Sequence, residues 1–170
     1  MRMTELFLAE LEREAPITRR TLERVPDSNP DWKPHDKSMS MSRLATLVAI
    51  MLSWVDLTIH QDSLDLNPPG GSGHRPPDLR TSGELVKAFD DHVDRAREAL
   101  RNTTDEHLMT TWKLLYGGRV VSEQPRYIVL RDAVFNHLAH HRGQLTVYLR
   151  LNNVSVPPIY GPTADEGRFE

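Results

Sequence analysis

The sequence predicts an all-α fold, a four-helix up-and-down bundle with a small β-hairpin before its last helix. Three observations predict it. Four long stretches place apolar residues at helical spacing. The segments between them are rich in Pro, Gly, Asn and Ser, which interrupt helices. One β-prone segment, "MTTWKLLYGGRVVSEQ", is divided by Gly117-Gly118 as a hairpin would be.

The first helix is "TELFLAELEREAPITRRTLERV", with Leu6, Leu11 and Leu22 among its apolar positions. Pro16 lies inside it and removes one backbone donor, so a kink or break is expected there. "PDSNPDWKPHDKS" is a loop. "SMSMSRLATLVAIMLSWVDLTIHQ" then reads as one helix, capped by Ser38 or Ser40, with Leu44, Val48, Met51, Leu52, Val55 and Ile59 facing inward. "NPPGGSGHRPP" reads as a mobile loop. The third helix, "TSGELVKAFDDHVDRAREALRN", starts at Thr81 or Ser82 ahead of Glu84. After the hairpin, Pro125 opens the last helix, which runs to about Leu151. The tail is irregular. The whole chain, 1–170, reads as a single domain with a real core.

Composition narrows the function. The net charge is −3 and the pI about 6.2, so no electrostatic footprint for nucleic acid stands out. The absence of cysteine excludes disulfides, zinc-thiolate sites and a cysteine nucleophile. No apolar run reaches membrane-spanning length, and the N-terminus has acids where a signal peptide carries its basic region. A cytoplasmic protein without membrane or nucleic-acid partners is expected.

Chemistry concentrates in "NHLAHHRGQLTVYLRL", which holds His137, His140 and His141 among eight histidines in the chain. With His137 at zero on a helical wheel, His141 falls at about +40°, Gln144 at about −20° and Tyr148 at about +20°. Leu138, Leu145 and Leu149 cluster near about +80° to about +120°. His137 and His141 therefore occupy the inner edge of the apolar face, while His140 points toward solvent. Two imidazoles one turn apart can share a divalent ion, and Gln144 could add a weak oxygen ligand. Equally, the pair can be half-buried residues bonded to neighbouring carbonyls. His35, His74 and His107 read as surface residues. His92 lies between Asp91 and Asp94, where a solvated face is the simpler reading than a carboxylate contact. Trp32, Trp54 and Trp112 read as core or interface anchors. No Ser-His-Asp arrangement, phosphate-binding glycine loop or paired-carboxylate motif emerges.

The stretches "FNHLAHHRGQLTVYLRLNNVSVPPIYGPTADE" and "VPDSNPDWKPHDKSMSMSRLATLVAIM" together resemble the DinB/YfiT-like family, and the resemblance covers nearly the whole chain. It implies a bundle that is often a homodimer. It also implies a nickel or zinc ion on three histidines, and in some members transfer or isomerisation chemistry with a low-molecular-weight thiol. His137 and His141 match the second and third ligands. The first ligand's position is held by Leu47 in "LATLVAI", and leucine offers no lone pair. His60 cannot substitute, being about 20 Å further along the helix and about 140° around it. Two functions follow. One is an enzyme of unassigned reaction, a thiol transferase or hydrolase with a degenerate ion site on His137 and His141. The other is a non-catalytic bundle that has lost its metal and binds a small organic ligand.

Overall fold

The computed structural model describes residues 2–71, 73 and 75–167. The longest elements are α1 (Met3–Leu22), the consecutive pair α2 (Met41–Ile50) and α3 (Ser53–His60), α4 (Ser82–Asn102) and a final helical run. That run comprises α6 (Arg126–Val129), a π-helical segment (Leu130–Asn136) and α7 (His137–Leu151). Between α4 and α6 lie the short α5 (Asp105–Leu108) and the strands β2 (Thr111–Tyr116) and β3 (Arg119–Pro125). A further strand, β1 (Ser63–Asp65), follows α3.

The caps form as their side chains dictate. Ser40, not Ser38, accepts from the Arg43 amide at the start of α2. Thr81 and Glu84 make a reciprocal capping box at the start of α4. Pro16 does not break α1: it lies on the exposed face, where the Glu12 carbonyl it leaves without a donor can turn to water. The second helix is not continuous, because α2 and α3 meet at 44°. At the bend the Trp54 and Val55 amides donate to the carbonyls three residues back, on Met51 and Leu52, so the α-helical ladder is replaced by tighter turns. Neither proline nor glycine marks this place in the sequence.

The all-α, up-and-down expectation needs two corrections. First, the described residues contain a three-stranded sheet in the order β1-β2-β3. The hairpin forms where expected, with Gly117 and Gly118 at φ 62° and 76°, the left-handed pair that a two-residue hairpin turn requires. β1 then adds to β2 in parallel. The Asp65 carboxylate accepts from the Gly117 and Gly118 amides, tying the turn to β1. Partial desolvation raises the pKa of Asp65, but amide donors from Asn67, Gly118 and Gly117 outweigh it and hold the carboxyl below its usual range.

Second, the helices do not alternate in direction. α1 and α7 run parallel, since Phe7 stacks on Phe135 and Glu14 pairs with Arg142. α2-α3 and α4 also run parallel: Thr46 bonds with the Leu79 backbone at one end, and Asp56 and His60 share a cleft with Arg95 and Asn102 at the other. α1 opposes α4 through Arg19–Asp90 and Arg97–Glu12. The order is thus up, down, down, up. Parallel neighbours in sequence need a connection as long as the helix itself, which is why residues 61–81 form so long a crossover.

One buried cation joins the sheet to the helices. Arg126 donates to the Thr58 and Gln61 carbonyls at the end of α3, to the Thr110 hydroxyl and Thr111 carbonyl at the start of β2, and to the Asp62 carboxylate. Arg126→Met keeps the volume but strands these acceptors, so it should lower unfolding stability by about 3 kcal/mol in urea denaturation, while Arg126→Lys recovers only part of that. A loss below about 0.5 kcal/mol would show that the clamp is redundant.

Candidate functional site

α7 begins where the π-helical segment ends, and its first residue is His137. The α-helical phase from there places the histidines together. His141 is 8% exposed, while His137 and His140 are exposed. The rings of His137 and His141 lie 4.5 Å apart and those of His140 and His141 4.9 Å. The inner-edge expectation thus describes His141 alone; His137 faces water. His140 is exposed as expected, yet its ring belongs to the cluster.

The nitrogens of the pair form a chain. His141 Nδ1 is 2.8 Å from Gln144 Oε1, and His141 Nε2 is 2.8 Å from His137 Nε2. An amide oxygen can only accept, so Nδ1 of His141 carries its proton and Nε2 presents a lone pair. His137 then donates from Nε2. Gln144 is therefore the residue that sets the tautomer of His141 rather than a ligand beside it. Burial is the largest influence on His141 and lowers its pKa. The Gln144 oxygen works against that, and the neighbouring His137 and His140 reinforce it.

The three-histidine ion of the resemblance does not fit these residues. Leu47, which the resemblance aligns with the first ligand, is half-buried against the core. Among the described residues no group of three or more His, Asp or Glu side chains could hold an ion. The Tyr148 hydroxyl donates to the Met39 carbonyl and fixes α2 antiparallel to α7. Seven residues back on α7 and eight forward from Met39 are each about 10–12 Å, which brings His141 and Leu47 to the same height. Leu47 lines a cavity of about 430 Å³ with Met39, Arg43, Pro76 and Pro77, and no described histidine lines it.

The remaining histidines are accounted for individually. His35 accepts from the Lys37 amide and is exposed. His60 pairs with Asp56. His107 is half-buried, not a free surface residue, because its Nε2 donates to the Ile59 carbonyl. His92 is also half-buried: Asp91 pairs with Lys87 and Asp94 with Arg97, and burial lowers the His92 pKa. His74 lies outside the described residues. Sequence reasoning missed Arg142, which is fully buried beside His141 and bonded to Glu14, Thr18 and Tyr160. The signal was available: Arg142 falls at about +140° on the wheel, close to Leu149, so a charge had to enter the core.

Acid should break the histidine chain. A proton on His141 Nε2 would face the Nε2–H of His137. Because the folded pKa is depressed, the unfolded chain binds the extra proton first, and stability falls as pH drops from about 6.5 toward the folded value. Histidine ring NMR should show His141 titrating below the ordinary imidazole value, and Gln144→Leu should lower it further. A His141 that titrates at or above about 6.5 would contradict the chain.

Residues 1–168 match the family model described as the DinB family. The Bacillus subtilis protein YrdA, described as uncharacterized, is 25% identical over 94% of this chain and 89% of its own. Among solved structures, a DinB-like protein from Bacillus cereus superposes with a TM-score of 0.68 at 22% identity, covering 92% of this chain and 97% of that one. A DinB-like protein from Bacillus subtilis, YjoA, gives 0.64 at 20% identity, covering 90% and 95%. The likeness in fold covers at least 90% of this chain, and with the family match over residues 1–168, this chain belongs to the DinB family.

Proposed function

We propose that this protein binds a small organic molecule in the cavity beside Leu47. The carrying observation is what Leu47 does: where the resemblance expects a ligand, an apolar side chain instead lines a cavity of about 430 Å³. That volume lies within the range of small-molecule sites, which join mostly apolar walls to a few polar groups. Here Met39, Leu47, Pro76 and Pro77 supply the walls, and Ser40 and Arg43 supply polarity at the start of α2. The Arg43 guanidinium has no hydrogen-bond or ion-pair partner among the described residues, so the ligand favoured is one with an apolar body and an acceptor or negative group.

A second reading rests on the 2.8 Å approach of His137 Nε2 to His141 Nε2. With the His137 proton moved to Nδ1, two imidazole nitrogens so placed could hold a divalent ion such as nickel or zinc weakly, and that ion would make a bound water or low-molecular-weight thiol more acidic. The exposed Val147 and Leu151 on α7 also suit a homodimer, which light scattering at micromolar concentration would check.

8-Anilinonaphthalene-1-sulfonate, an apolar anion, should bind the native protein at one site, and Leu47→Glu should weaken it about tenfold or more. Equal binding to parent and variant would overturn the reading. The ion reading is tested by thermal melts with chelator, zinc or nickel. The parent should respond weakly, whereas Leu47→His should melt lower without metal and higher with it, because the helices already hold the other two rings. An equal response would mean that Leu47 does not face the pair.

A further inference from the structure

The cavity beside Leu47 is bordered by charged side chains from two segments. Asp31 precedes α2, whereas Asp78 and Arg80 belong to the crossover. Arg80 Nη2 donates to Asp31 Oδ2 at 2.7 Å, and Arg80 Nη1 lies 3.6 Å from Asp78 Oδ2. An exposed ion pair is usually worth little, because two mobile side chains must be held together. Here the backbone holds both ends. The Pro30 and Trp32 carbonyls, on either side of Asp31, accept from the Ser42 and Met41 amides at the start of α2. Next to Arg80, the Leu79 amide and carbonyl bond with the Thr46 hydroxyl on the same helix. α2 thus fixes the spacing of Asp31 and Arg80.

The same caps decide where an anion could bind. A helix N-terminus attracts negative charge through its free amides. In α2 the Met41, Ser42 and Arg43 amides are taken by the Trp32 carbonyl, the Pro30 carbonyl and the Ser40 hydroxyl. Recognition therefore falls to side chains. The described lining holds two guanidiniums, Arg43 and Arg80, and two carboxylates, Asp31 and Asp78, so its formal charge is zero. Arg80 is occupied by the two carboxylates, which leaves the Arg43 guanidinium as the uncommitted cation.

We propose that Asp31 sets the charge selectivity of this cavity: by occupying Arg80 it restricts the site to small apolar monoanions, such as sulfonates and carboxylates, and disfavours dianions, such as phosphate monoesters. The inference rests on the reading that the cavity binds a small molecule. A single negative charge is met by Arg43. A second finds no free cation and meets Asp31 and Asp78 instead. Charge-assisted hydrogen bonds are about twice as strong as neutral ones, so releasing a second guanidinium changes which head group is favoured. Asp31→Asn releases it while keeping the size of the side chain, and at 78% exposed the position tolerates the change.

1-Naphthalenesulfonate and 1-naphthyl phosphate are suitable probes. They share a ring and a tetrahedral head, and at about pH 8 they carry about one and about two negative charges, since the second phosphate pKa is about 6. Calorimetric titration at low salt should show the parent binding the sulfonate at least about threefold tighter than the phosphate. In Asp31→Asn the phosphate should bind about fivefold tighter than in the parent, and the sulfonate less than about twofold tighter. Adding Arg80→Gln to Asp31→Asn should remove that gain. Asp36→Asn makes the same change in net charge at a side chain 99% exposed and outside the cavity lining, and should leave the ratio of the two probes unchanged. A second cleft, of about 290 Å³ at Trp54 and Trp112, shares no lining residue with this cavity, so Leu47→Glu, which should weaken both probes, identifies where they bind. Leu47-dependent binding with the same probe ratio in parent and Asp31→Asn, or a shift in ratio reproduced by Asp36→Asn, would overturn the inference and leave the reading of the cavity standing. Failure of both probes to bind, or binding indifferent to Leu47→Glu, would overturn both.

Discussion

A guanidinium in the core fixes how the last helix sits. Arg142 Nη1 is 2.6 Å from Glu14 Oε2 and 2.9 Å from the Thr18 hydroxyl, both on α1. Its Nη2 reaches the Tyr160 hydroxyl at 2.6 Å, and Tyr160 in turn donates to Glu14. Removing two charges from water is expensive, and the attraction between them need not repay the full cost. A buried pair is thus weak evidence for added stability, but it discriminates strongly between arrangements. Any rotation of α7 that withdrew Arg142 from Glu14 would leave a lone charge in an apolar interior. Here that selects the parallel alignment of α1 and α7.

The rest of the site inherits this orientation. Successive residues on a helix point about 100° apart. With Arg142 turned toward α1, the preceding His141 is directed to the side of the helix away from that pair. His137 and Gln144, each within about 60° of it, complete the hydrogen-bonded chain on the same side. The tail is drawn in as well, since Tyr160 seals the ion pair from outside and packs its ring 5.2 Å from the guanidinium. Burial leaves the Tyr160 hydroxyl less acidic, Glu14 adds to that and Arg142 opposes it, so the phenol remains a proton donor to the Glu14 carboxylate. Arg126 serves the opposite end of the run in the same manner, although its acceptors are mostly backbone carbonyls.

The sequence made the periodic parts of the fold legible and hid the parts set by long-range packing. Helices with strong phase, the Gly117-Gly118 turn and the caps at Ser40 and Thr81 follow from local chemistry, and all are present. The direction of α4 was not legible, because a long Pro- and Gly-rich connection is equally consistent with a short hop or a full crossover. β1 was hidden for a related reason: three residues carry too little pattern, and what creates that strand is its pairing with β2 and the grip of Asp65 on the hairpin turn. In the candidate site, His137, His141 and Gln144 were legible from spacing, and Leu47 from its place in a recognisable stretch. The separate exposure of His137 and His141 was not, since a helical wheel gives direction and not the height of the neighbouring wall.

The bend between α2 and α3 explains why two cavities exist rather than one continuous groove. A straight helix from Met41 to His60 would keep Leu44, Val48, Met51, Val55 and Ile59 on a single stripe facing a single set of neighbours. Turning by 44° at Met51–Leu52 separates the two halves. Leu47 on α2 is left beside Pro76 and Pro77 of the crossover, while Trp54 on α3 is left beside Trp112 and the π-helical segment. On the last helical run the π-helical segment is a second departure from regular geometry, and it lies opposite α3. Two straight helices would close against each other by ridges and grooves. Two helices that each change course leave unfilled volume where the courses diverge, which is where the cleft at Trp54 and Trp112 lies, whereas the cavity at Leu47, on the other side of the break, is bounded by α2, the loop before it and the crossover.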